Sequence, residues 1–459
     1  MPDNEVLSPA TLLQLIERRA LRELWVCDDG TRVWRELGDA IAAARAQCQA
    51  AGVRVGDIVL TPGEAKLGAL AWFFAAALEG AVVAPLRAAR EGEIAAWRSH
   101  AAPRWRVRNE QLEALPCESR SASAEPLLLQ LREQGRPGLI LATGGTTGTP
   151  KLVLHDLAAL LATVPVKQSV ARRIMPLMRF DHIGGLDMAW RALGSGHVLV
   201  EPPAELTPEP VAAAIAKHRV EVMPATPSFL NLLLAAEAHR RHALGSLAIV
   251  PYGAEPMPVG LLARLRSALP KVEFVQRFGT SETGAVPVSE SGAGLVLGDD
   301  AAGFQWKIVE DELWVRSPAQ ALGYLAGEAG GLGRDGWFRT GDLAERLPDG
   351  AVRVLGRREE LINVGGEKVL PAEVENVLQS HPQVADCRVY PERNSLLGQV
   401  VAAEIVWRGG ETDPLAVKRA LQEHAGERLP RHKLPAIVKL VAAVSATRNL
   451  KKDRSAPVA

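Results

Sequence analysis

Apolar and polar positions alternate in blocks that predict strands and helices by turns along the first 250 residues. Residues 52–60 read as a turn into a buried strand, 66–79 as an apolar helix, and 80–85 as a second buried strand. A strand, a helix and a strand at this spacing are typical of a βαβ unit in a parallel sheet. Because the alternation returns over residues 157–250, the pattern predicts an α/β fold with two βαβ-type sheet subdomains.

The second block contains the longer series of predicted elements. We expect strands near residues 173–176, 197–200, 221–224 and 247–253, with helices after 157 and near 188–193, 208–218 and 228–241. Before the first βαβ unit, residues 8–52 are helix-rich around a short strand at 25–27. Residues 88–137 are polar, rich in arginine and weakly periodic, so we expect only peripheral helices and a loop there.

Beyond residue 293 the pattern changes twice. Short alternating strands separated by turns, over residues 293–356, predict a small β-barrel-like subdomain. After residue 356 helices and strands mix, which predicts a small α+β domain. We therefore place a large N-terminal domain at residues 1–356 and a small C-terminal domain at residues 357–459.

Composition narrows the classes of function. With 459 residues and 47% apolar side chains, the chain is long enough for two or three packed domains. Its formal net charge is zero, so neither nucleic acid nor an anionic membrane surface is an expected partner. The apolar stretch 67–85 is interrupted by Glu79 and Gly80, which fits a buried helix and not a membrane span. Four cysteines without metal-ligand spacing, and an acidic start without an apolar signal, indicate a cytoplasmic protein.

The segment 143–151, Thr-Gly-Gly-Thr-Thr-Gly-Thr-Pro-Lys, is a candidate binding loop. Its glycines allow a tight turn close to a ligand, while threonine hydroxyls, backbone N–H groups and Lys151 are donors suited to phosphate oxygens. The P-loop of nucleotide kinases requires Gly-Lys-Ser/Thr opening a helix, whereas here Pro150 precedes the lysine and Leu152 follows it. Apolar runs on both sides predict a hairpin tip between two strands. A glycine-rich turn without a ligand is the alternative on local grounds.

Six further segments follow this loop along the chain. They are Tyr252-Gly-Ala-Glu-Pro256, Gln276-Arg-Phe-Gly-Thr-Ser-Glu282, Gly336-Trp-Phe-Arg-Thr-Gly-Asp342, Leu355-Gly-Arg-Arg-Glu359, Asn363-Val-Gly-Gly-Glu-Lys-Val369 and Thr447-Arg-Asn-Leu-Lys-Lys-Asp-Arg454. Together with the glycine-rich loop they resemble the motifs of the adenylate-forming superfamily, which contains acyl- and aryl-CoA ligases, peptide-synthetase adenylation domains and beetle luciferase. The resemblance covers nearly the whole chain and is closest to the acyl- and aryl-CoA ligases.

This resemblance implies a site for ATP and Mg²⁺. Contacts to the phosphates would come from Thr143, Gly144, Gly145, Thr146, Thr147, Gly148, Lys151 and Ser281. Contacts to adenine and ribose would come from Gly253, Ala254, Glu255, Phe278, Gly279, Asp342 and Arg357. Glu282 would bind Mg²⁺, a hard ion that prefers carboxylate oxygen.

Each nucleotide-site motif departs from the family pattern or has a simpler local alternative. Phe278 stands where the family usually has Tyr, and Ser281 where it usually has Thr. Glu255 occupies a turn where small residues are commoner. The carboxylate of Asp342 can accept hydrogen bonds from vicinal ribose hydroxyls, although Asp and Gly also favour ordinary turns.

The C-terminal motifs imply a mobile domain. Glu359 stands at the hinge, where the family usually has Asp or Lys. Gly365 and Gly366 would line the channel for a pantetheine thiol, because two glycines let an extended arm pass close to the backbone. Lys451 matches the lysine that supports adenylation by contacting substrate oxygens, with Lys452 as an adjacent competitor. Taken alone, this basic tail is more often a solvated charge run.

The pocket for the acid is implied by residues 180–186 and 224–229. His182 matches an aromatic or histidine gate beside the family's acyl pocket, and Gly184 and Thr226 would line it. Asp181 would contact an amino group on the substrate in a minority interpretation. A histidine at the end of an apolar strand is more often a satisfied core residue.

The resemblance implies two half-reactions in one site. A carboxylate attacks the α-phosphate of ATP to give an acyl-adenylate and pyrophosphate, and a thiol then displaces AMP. Lys451, Glu282 and His182 are the candidate catalytic residues. CoA is the first choice of thiol, the phosphopantetheine of a carrier protein is the alternative, and a non-catalytic nucleotide-binding relative is the second alternative. We expect the acid to be aryl or small to medium in size. The protein is a possible homodimer.

Overall fold

The computed structural model describes residues 5–87, 92, 94–116, 124–143, 151–286, 288–291, 294–297, 303–326, 331–333, 335–410, 413–444, 452 and 454. The helices in these residues are α1 (Pro9–Arg19), α2 (Trp34–Ala51), α3 (Leu67–Leu78), α4 (Ile94–Ala101), α5 (Glu125–Glu133), α6 (Leu157–Ala162), α7 (Ile183–Ser195), α8 (Pro208–His218), α9 (Pro227–Ala235), α10 (Ala238–Arg241), α11 (Val259–Ala268), α12 (Pro371–Gln379) and α13 (Pro414–Gly426). Ser8, Thr226 and Asp413 cap the helices that follow them by accepting a backbone N–H, and each precedes a proline at the first helical position.

The strands on either side of the glycine-rich segment belong to a seven-stranded sheet. Its strands are β3 (Ile58–Pro62), β4 (Val82–Leu86), β5 (Trp105–Arg108), β6 (Gln111–Ala114), β7 (Gly138–Thr143), β8 (Lys151–Asp156) and β19 (Gly323–Ala326), in the order β19-β8-β7-β4-β3-β5-β6. Strands β3, β4, β5 and β7 run parallel, while β8 pairs antiparallel with β7 and β19. The predicted βαβ unit is confirmed as β3, α3 and β4, and residues 69–77 of α3 are all buried.

Residues 105–114 correct the prediction of peripheral helices and a loop between residues 88 and 137. They form β5 and β6, an antiparallel hairpin that extends the sheet beyond β3. Trp105 and Val107 are buried, whereas Arg106 and Arg108 are not. This two-residue period marks a strand with one buried face, but four residues are too few to stand out in an arginine-rich region.

A second sheet shares its core with the first. It contains β1 (Glu23–Cys27), β2 (Gly30–Val33), β9 (Arg173–Ile174) and β10 (Val198–Val200) in the order β2-β1-β10-β9, and the parallel pair β11 (Ile249–Tyr252) and β12 (Glu273–Gln276). The predicted strand 221–224 is reduced to Val222, which bridges in parallel to Ile174 and Ile249 and so joins the two groups. Residues from both sheets pack in one apolar cluster. The second predicted βαβ-type subdomain is therefore present.

The predicted helix 228–241 is broken in the structure. Helix α9 ends at Ala235 and α10 begins at Ala238. Between them Glu237 has a φ of 52°, in the left-handed region that side chains disfavour and that continues no helix. The apolar spacing of both pieces is similar, so the pattern alone reads as one helix.

The third sheet corresponds to the subdomain predicted as barrel-like. A hairpin of β13 (Phe278–Thr280) and β14 (Gly284–Val286) leads into β15 (Val288–Ser291), β16 (Gly294–Leu297), β17 (Gln305–Val309), β18 (Glu312–Arg316), β20 (Phe338–Arg346) and β21 (Val352–Arg357). The last six are antiparallel in the order β15-β16-β21-β20-β18-β17, with bulges in β18 and β20. Their inner face packs around a separate apolar cluster.

The C-terminal residues form the predicted α+β unit. Strands β22 (Ile362–Val364), β23 (Glu367–Val369), β24 (Val384–Asn394), β25 (Gly398–Trp407) and β26 (Ile437–Leu440) build one sheet. Helices α12 and α13 pack on it around its own apolar cluster. The boundary between residues 356 and 357 stays a prediction, since β21 crosses it by one residue. In the part of the chain that the structure describes, no helix has the length and apolar character needed to cross a membrane.

Candidate active site

The glycine-rich loop connects two strands, as predicted. Strands β7 and β8 pair antiparallel along their whole length, and Thr143 lies opposite Lys151 at the open end. The other predicted phosphate-binding residues of this loop lie outside the described residues, namely Gly144, Gly145, Thr146, Thr147 and Gly148. The structure thus places the two strand ends from which the loop leaves.

Lys151 and Glu282 both lie near the side chain of Tyr324. The Tyr324 hydroxyl donates a hydrogen bond of 2.9 Å to Glu282 Oε1, and Lys151 Nζ lies 5.9 Å from the centroid of the ring. Burial, and after it the charge of Glu282, raises the pKa of Tyr324, so its hydroxyl remains a donor at neutral pH. A predicted phosphate ligand and the predicted metal ligand therefore share Tyr324 as a neighbour.

Two threonines shape the turn that presents Glu282. Thr280 Oγ1 accepts hydrogen bonds of 3.2 Å from the backbone N–H groups of Glu282 and Thr283. Strands β13 and β14 close as a hairpin on either side of this turn. Because side-chain hydroxyls satisfy the backbone donors, the turn is rigid and the direction of the carboxylate is set by it.

His155 connects this turn to the seven-stranded sheet. Its Nε2 donates a hydrogen bond of 2.7 Å to the carbonyl oxygen of Ser281, the predicted α-phosphate ligand. His155 is fully buried on β8, and this burial lowers its pKa to about 4. The ring is therefore neutral at pH 7, as a donor to a carbonyl can be. It holds Ser281 against the strand that starts at Lys151.

Asp342 and Arg357 form one ion pair. They lie directly opposite each other on β20 and β21, with Arg357 Nε 2.9 Å from Asp342 Oδ1. Arg357 Nη1 also donates to the carbonyl oxygen of Thr340 at 2.8 Å. Burial alone would lower the pKa of Arg357, but the carboxylates of Asp342 and Glu359 outweigh it and raise the pKa. The two predicted ribose contacts are thus a fixed, charged pair.

Two glycines of the predicted adenine site are required by close backbone contacts. A Cβ on Gly253 would lie 2.6 Å from the Arg277 carbonyl oxygen, and one on Gly279 would lie 2.6 Å from the Gly284 carbonyl oxygen. Any other residue would push these segments apart. The end of β11 therefore lies against the connection into β13. The Phe278 ring is half-buried against the core of the third sheet.

The Glu255 carboxylate is engaged by the protein itself. The backbone turns just before it, where Ala254 has a φ of 71°. Oε1 accepts a hydrogen bond of 2.7 Å from the N–H of Ser228, in the first turn of α9, and Oε2 accepts one of 3.4 Å from the N–H of Lys452. The structure directs this side chain to a helix end and to the C-terminal tail.

Asp181 is already paired with a cation. Its carboxylate is fully buried, and Arg87 Nε lies 2.7 Å from Asp181 Oδ2. His182 Nε2 lies 3.8 Å from Asp181 Oδ1 and its side chain is 24% exposed. Arg87 follows directly after β4, at the carboxyl end of a parallel strand, where ligand sites of such sheets form. The minority interpretation of Asp181 as an amine-binding residue must therefore compete with Arg87.

The other predicted pocket residues start helices. Gly184 is in the first turn of α7, next to Gly185, whose Cβ would lie 2.2 Å from the carbonyl oxygen of Arg179. Thr226 is buried and caps α9, with its Oγ1 accepting a hydrogen bond of 3.2 Å from Phe229 N. Both helices therefore begin at the positions from which the pocket is predicted to be lined.

The predicted thiol-channel glycines lie at the surface in this domain arrangement. Gly365 and Gly366 form the turn between β22 and β23, with φ values of 61° and 100°. Both are exposed, and Gly366 N donates to Asn363 Oδ1 at 2.8 Å. The predicted hinge residue Glu359 is exposed in a short 3-10 helix, Arg358–Glu360.

The C-terminal tail is not a solvated charge run at its described residues. Lys451, the predicted catalytic lysine, lies outside the described residues. Lys452 is buried and its Nζ lies 3.0 Å from Asp386 Oδ1, so it is not a competitor for the role of Lys451. Arg454 Nη2 lies 2.8 Å from Glu375 Oε2. Sequence reasoning missed this buried network because alternating charges carry no signal of burial.

The donor set at Glu282 fits a nucleotide-bound cation. Among the described residues, no group of three or more His, Cys, Asp or Glu side chains is placed to hold a metal ion. Mg²⁺ is commonly held by one or two carboxylates together with substrate phosphates and water. The single carboxylate of Glu282 meets that requirement and does not provide an all-protein metal cage.

His155 and Tyr324 are the site residues that sequence reasoning missed. His155 carries one signal, a histidine within the apolar run after the glycine-rich loop. Tyr324 carries none, because its contact with Glu282 is made only when β19 joins the edge of the sheet beside β8.

Two family models match the sequence. One, described as AMP-binding enzyme, matches residues 14–325, and the other, AMP-binding enzyme C-terminal domain, matches residues 373–451. The second model therefore covers all but the first two residues of α12, and the strands β24 to β26.

Known proteins with similar sequences include ligases of several kinds. A 4-coumarate–CoA ligase-like protein of Oryza sativa subsp. japonica is 28% identical over 425 residues, which cover 78% of this chain and 71% of that protein. An indoleacetate–CoA ligase of Aromatoleum aromaticum is 31% identical over 341 residues, covering 69% of this chain and 65% of that protein. An L-proline–[L-prolyl-carrier protein] ligase of Pseudomonas fluorescens is 28% identical over 345 residues, covering 69% and 67%.

Solved structures show the same fold. An anthranilate CoA ligase in complex with anthranoyl-AMP superposes with a TM-score of 0.79 at 19% identity, covering 98% of this chain and 96% of that one. An amide bond synthetase from Marinactinospora thermotolerans superposes with a TM-score of 0.75 at 22% identity, covering 97% of this chain and 98% of that one. The resemblance to adenylate-forming enzymes is confirmed, and this chain belongs to the AMP-binding enzyme family.

Proposed function

We propose that this chain activates a carboxylic acid as an acyl-adenylate, with release of pyrophosphate, and then forms a thioester with CoA. The observation that carries the proposal is that Lys151, at the start of β8, and Glu282 both lie near the side chain of Tyr324. A cation and a carboxylate at a glycine-rich turn suit a metal-bound triphosphate. Relatives whose names specify CoA ligases support the second step.

In the first half-reaction the substrate carboxylate attacks the α-phosphorus of ATP. The bond that forms joins the carboxylate oxygen to phosphorus, and the bond that breaks releases pyrophosphate. No protein nucleophile is needed, so the residues act by position and charge. Lys151 and the loop donors stabilise the charge that develops on the leaving pyrophosphate. Asp342, held by Arg357, accepts hydrogen bonds from the ribose hydroxyls.

Glu282 is the residue that would hold Mg²⁺ in this site. When bound, the ion supplies neutralisation of charge on the phosphate oxygens. Tyr324 keeps one carboxylate oxygen of Glu282 in place through its hydrogen bond. His155 holds the backbone of Ser281 through its carbonyl oxygen, and the Ser281 hydroxyl is the group that would contact the α-phosphate from this turn.

In the second half-reaction the small domain turns about Glu359 and a thiol displaces AMP. The exposed glycine turn at Gly365 and Gly366 supports this step, because it is open to solvent while Lys452 touches Glu255 of the large domain. The present arrangement thus suits adenylation. A rotation would exchange Lys451 for the glycine turn at the same adenylate.

We infer an aromatic acid as the substrate class. The names of three similar proteins specify coumarate, indoleacetate and anthranilate. The buried pair of Asp181 and Arg87 supports an acid without a charged ammonium group, because an ammonium would need to displace a neighbouring guanidinium.

Transfer to a carrier protein is the second candidate for the acceptor. The similarity to a prolyl-carrier protein ligase favours it, and the exposed turn at Gly365 would admit a carrier-bound pantetheine arm as readily as free CoA. A non-catalytic nucleotide-binding relative is disfavoured, because Lys151 and Glu282 both lie near Tyr324 and Asp342 pairs with Arg357.

The test is acid-dependent pyrophosphate release by the purified protein with Mg·ATP. A panel of aromatic, short-chain and amino acids is supplied first without a thiol, then with CoA, then with a phosphopantetheinylated carrier protein. We expect release with aromatic acids and a CoA thioester detected by mass. Lys451→Ala should abolish release while retaining thioester formation from supplied acyl-adenylate. Absence of release with every acid would reject the proposed function.

A further inference from the structure

The C-terminal tail is attached to the small domain by two buried side chains. Lys452 Nζ lies 3.0 Å from Asp386 Oδ1 and 3.9 Å from Glu375 Oε2, and it donates to the Cys387 carbonyl oxygen at 2.6 Å. The Lys452 and Glu375 side chains are 6% and 2% exposed. A charge this deeply buried is held only by its partners, so Lys452 moves with α12 and β24.

Arg454 adds a second attachment of the tail. Its guanidinium contacts the Glu375 carboxylate through two nitrogens, at 3.1 and 2.8 Å, in a bidentate pair. It also donates to both oxygens of Glu360 at 3.3 Å, beside the predicted hinge. The tail, α12, β24 and the segment after β21 are therefore joined in one charged network.

The tail contacts the large domain through its backbone at Glu255. Glu255 Oε2 accepts from Lys452 N at 3.4 Å, while Oε1 accepts from Ser228 N at 2.7 Å. The carboxylate lies at the N-terminus of α9, where the helix dipole and free N–H groups stabilise a negative charge. Ser228 follows Thr226 and Pro227 in the helix predicted to line the acid pocket.

These two sets of contacts respond differently to domain rotation. The contacts of the Lys452 side chain lie within the small domain and persist when it turns. The contact of the Lys452 backbone with Glu255 lies between domains and would be broken by the rotation proposed for the second half-reaction. Glu255 therefore stabilises one arrangement and contributes nothing to the other, which is the condition for shifting an equilibrium between two states.

We propose that Glu255 is a positioning residue for adenylation, which links the acid-pocket helix α9 to the tail that carries the catalytic lysine. The inference rests on the proposed function. Lys451 is bonded to the nitrogen atom of Lys452 that Glu255 binds, so the contact restricts where Lys451 can reach. The same carboxylate binds the first turn of α9, so a single side chain joins the helix predicted to line the acid pocket to the residue that follows Lys451.

The test compares the two half-reactions in Glu255→Ala and Glu255→Gln. With Glu255→Ala we expect adenylation to slow about tenfold, the effect of losing about 1.4 kcal/mol, with no slowing of thioester formation from supplied acyl-adenylate. Glu255→Gln retains one accepting oxygen and should lie between Ala and wild type. Glu273→Ala, an exposed carboxylate of β12, is the matched control and should match wild type in both reactions.

A second measurement does not depend on the substrate. Tryptic cleavage after Arg358, in the hinge segment, should be faster in Glu255→Ala, because the variant lacks the contact between the two domains at Lys452. Equal losses in both half-reactions would indicate a damaged α9 and overturn the proposal, as would unchanged adenylation or unchanged cleavage. If wild type releases no pyrophosphate with any acid, the proposed function fails. The cleavage comparison still decides whether Glu255 holds the two domains together.

Discussion

The hydroxyl of Tyr324 donates a hydrogen bond of 2.9 Å to the carboxylate of Glu282. The two residues lie on different sheets, Tyr324 on β19 and Glu282 in the turn between β13 and β14. This bond joins the metal-binding candidate to the strand that borders β8, and through the ring of Tyr324 to Lys151. Removing this hydrogen bond therefore tests whether the site is organised to bind Mg·ATP.

Tyr324→Phe removes the hydrogen bond and keeps the ring beside Lys151. We expect adenylation to slow ten- to a hundredfold, since a hydrogen bond to a charged group contributes about 1.5–3 kcal/mol. Pyrophosphate release at saturating Mg·ATP and acid measures the effect. Tyr390→Phe, a tyrosine of the C-terminal strand β24, is the control and should leave the rate unchanged. A wild-type rate in Tyr324→Phe would remove this bond from the catalytic site.

Asp181→Asn breaks a buried ion pair. The Asp181 and Arg87 side chains are 0% and 14% exposed, so the variant leaves a guanidinium without its carboxylate in a place that water hardly reaches. We expect the free energy of unfolding to fall by about 3 kcal/mol. Urea unfolding measures it. The control is Asp187→Asn. The ion pair of Asp187 with Arg191 is more exposed, so its loss should lower the free energy of unfolding by only about 0.5 kcal/mol. Equal effects of the two variants would contradict a structural role for the Arg87 pair.

His155 makes stability depend on pH. In the folded protein its pKa is about 4, while an unperturbed histidine has 6.5. As the pH falls the unfolded chain therefore binds the proton first, and stability present above pH 6.5 is lost progressively down to pH 4, by roughly 3 kcal/mol in all. Urea unfolding at pH 5 and pH 7 measures this loss.

His155→Gln keeps a donor for the Ser281 carbonyl and cannot titrate. Its unfolding free energy should be lower at pH 7 but should change less than that of wild type between pH 7 and pH 5. His432→Gln, a partly exposed histidine of the C-terminal region, should follow wild type at both pH values. An unchanged pH dependence in His155→Gln would show that other groups cause the loss.

Gly366→Val tests the thiol-channel turn separately from adenylation. The φ of 100° at this position is strained for any side chain, at a cost of about 1–3 kcal/mol, although an added Cβ would meet no atom within 4 Å. We expect thioester formation from supplied acyl-adenylate to slow, with pyrophosphate release unchanged. Gly410→Val, an exposed glycine of the same domain without positive φ, is the control. Parallel loss of both half-reactions would exclude a role specific to thiol transfer.

The sequence by itself predicted the elements whose signal is local. The helix predicted at residues 208–218 is α8, and the apolar runs around the glycine-rich segment are β7 and β8. These predictions were correct because burial of one face gives apolar residues a period of about 3.6 in a helix and 2 in a strand, which is visible in adjacent sequence positions. The hairpin β5–β6 was missed because its period spans four residues within an arginine-rich region.

The motifs also identified residues that the fold brings together, but not how they pair. Asp342 and Arg357 were predicted as separate nucleotide contacts, and register across β20 and β21 makes them one ion pair. Glu255 was predicted at the adenine, and the turn before it directs its carboxylate to Ser228 and Lys452. A motif specifies residue types in order, whereas a partner is specified by which strands and helices meet.

The tertiary structure alone decided the contacts between distant segments. Tyr324 reaches Glu282 only because β19 joins the sheet beside β8, and Arg87 reaches Asp181 only because the end of β4 lies against the start of α7. Lys452 looks like a solvated charge in sequence and is buried against Asp386 and Glu375. Burial of a charge depends on partners far along the chain, and these partners cannot be identified from the local sequence pattern.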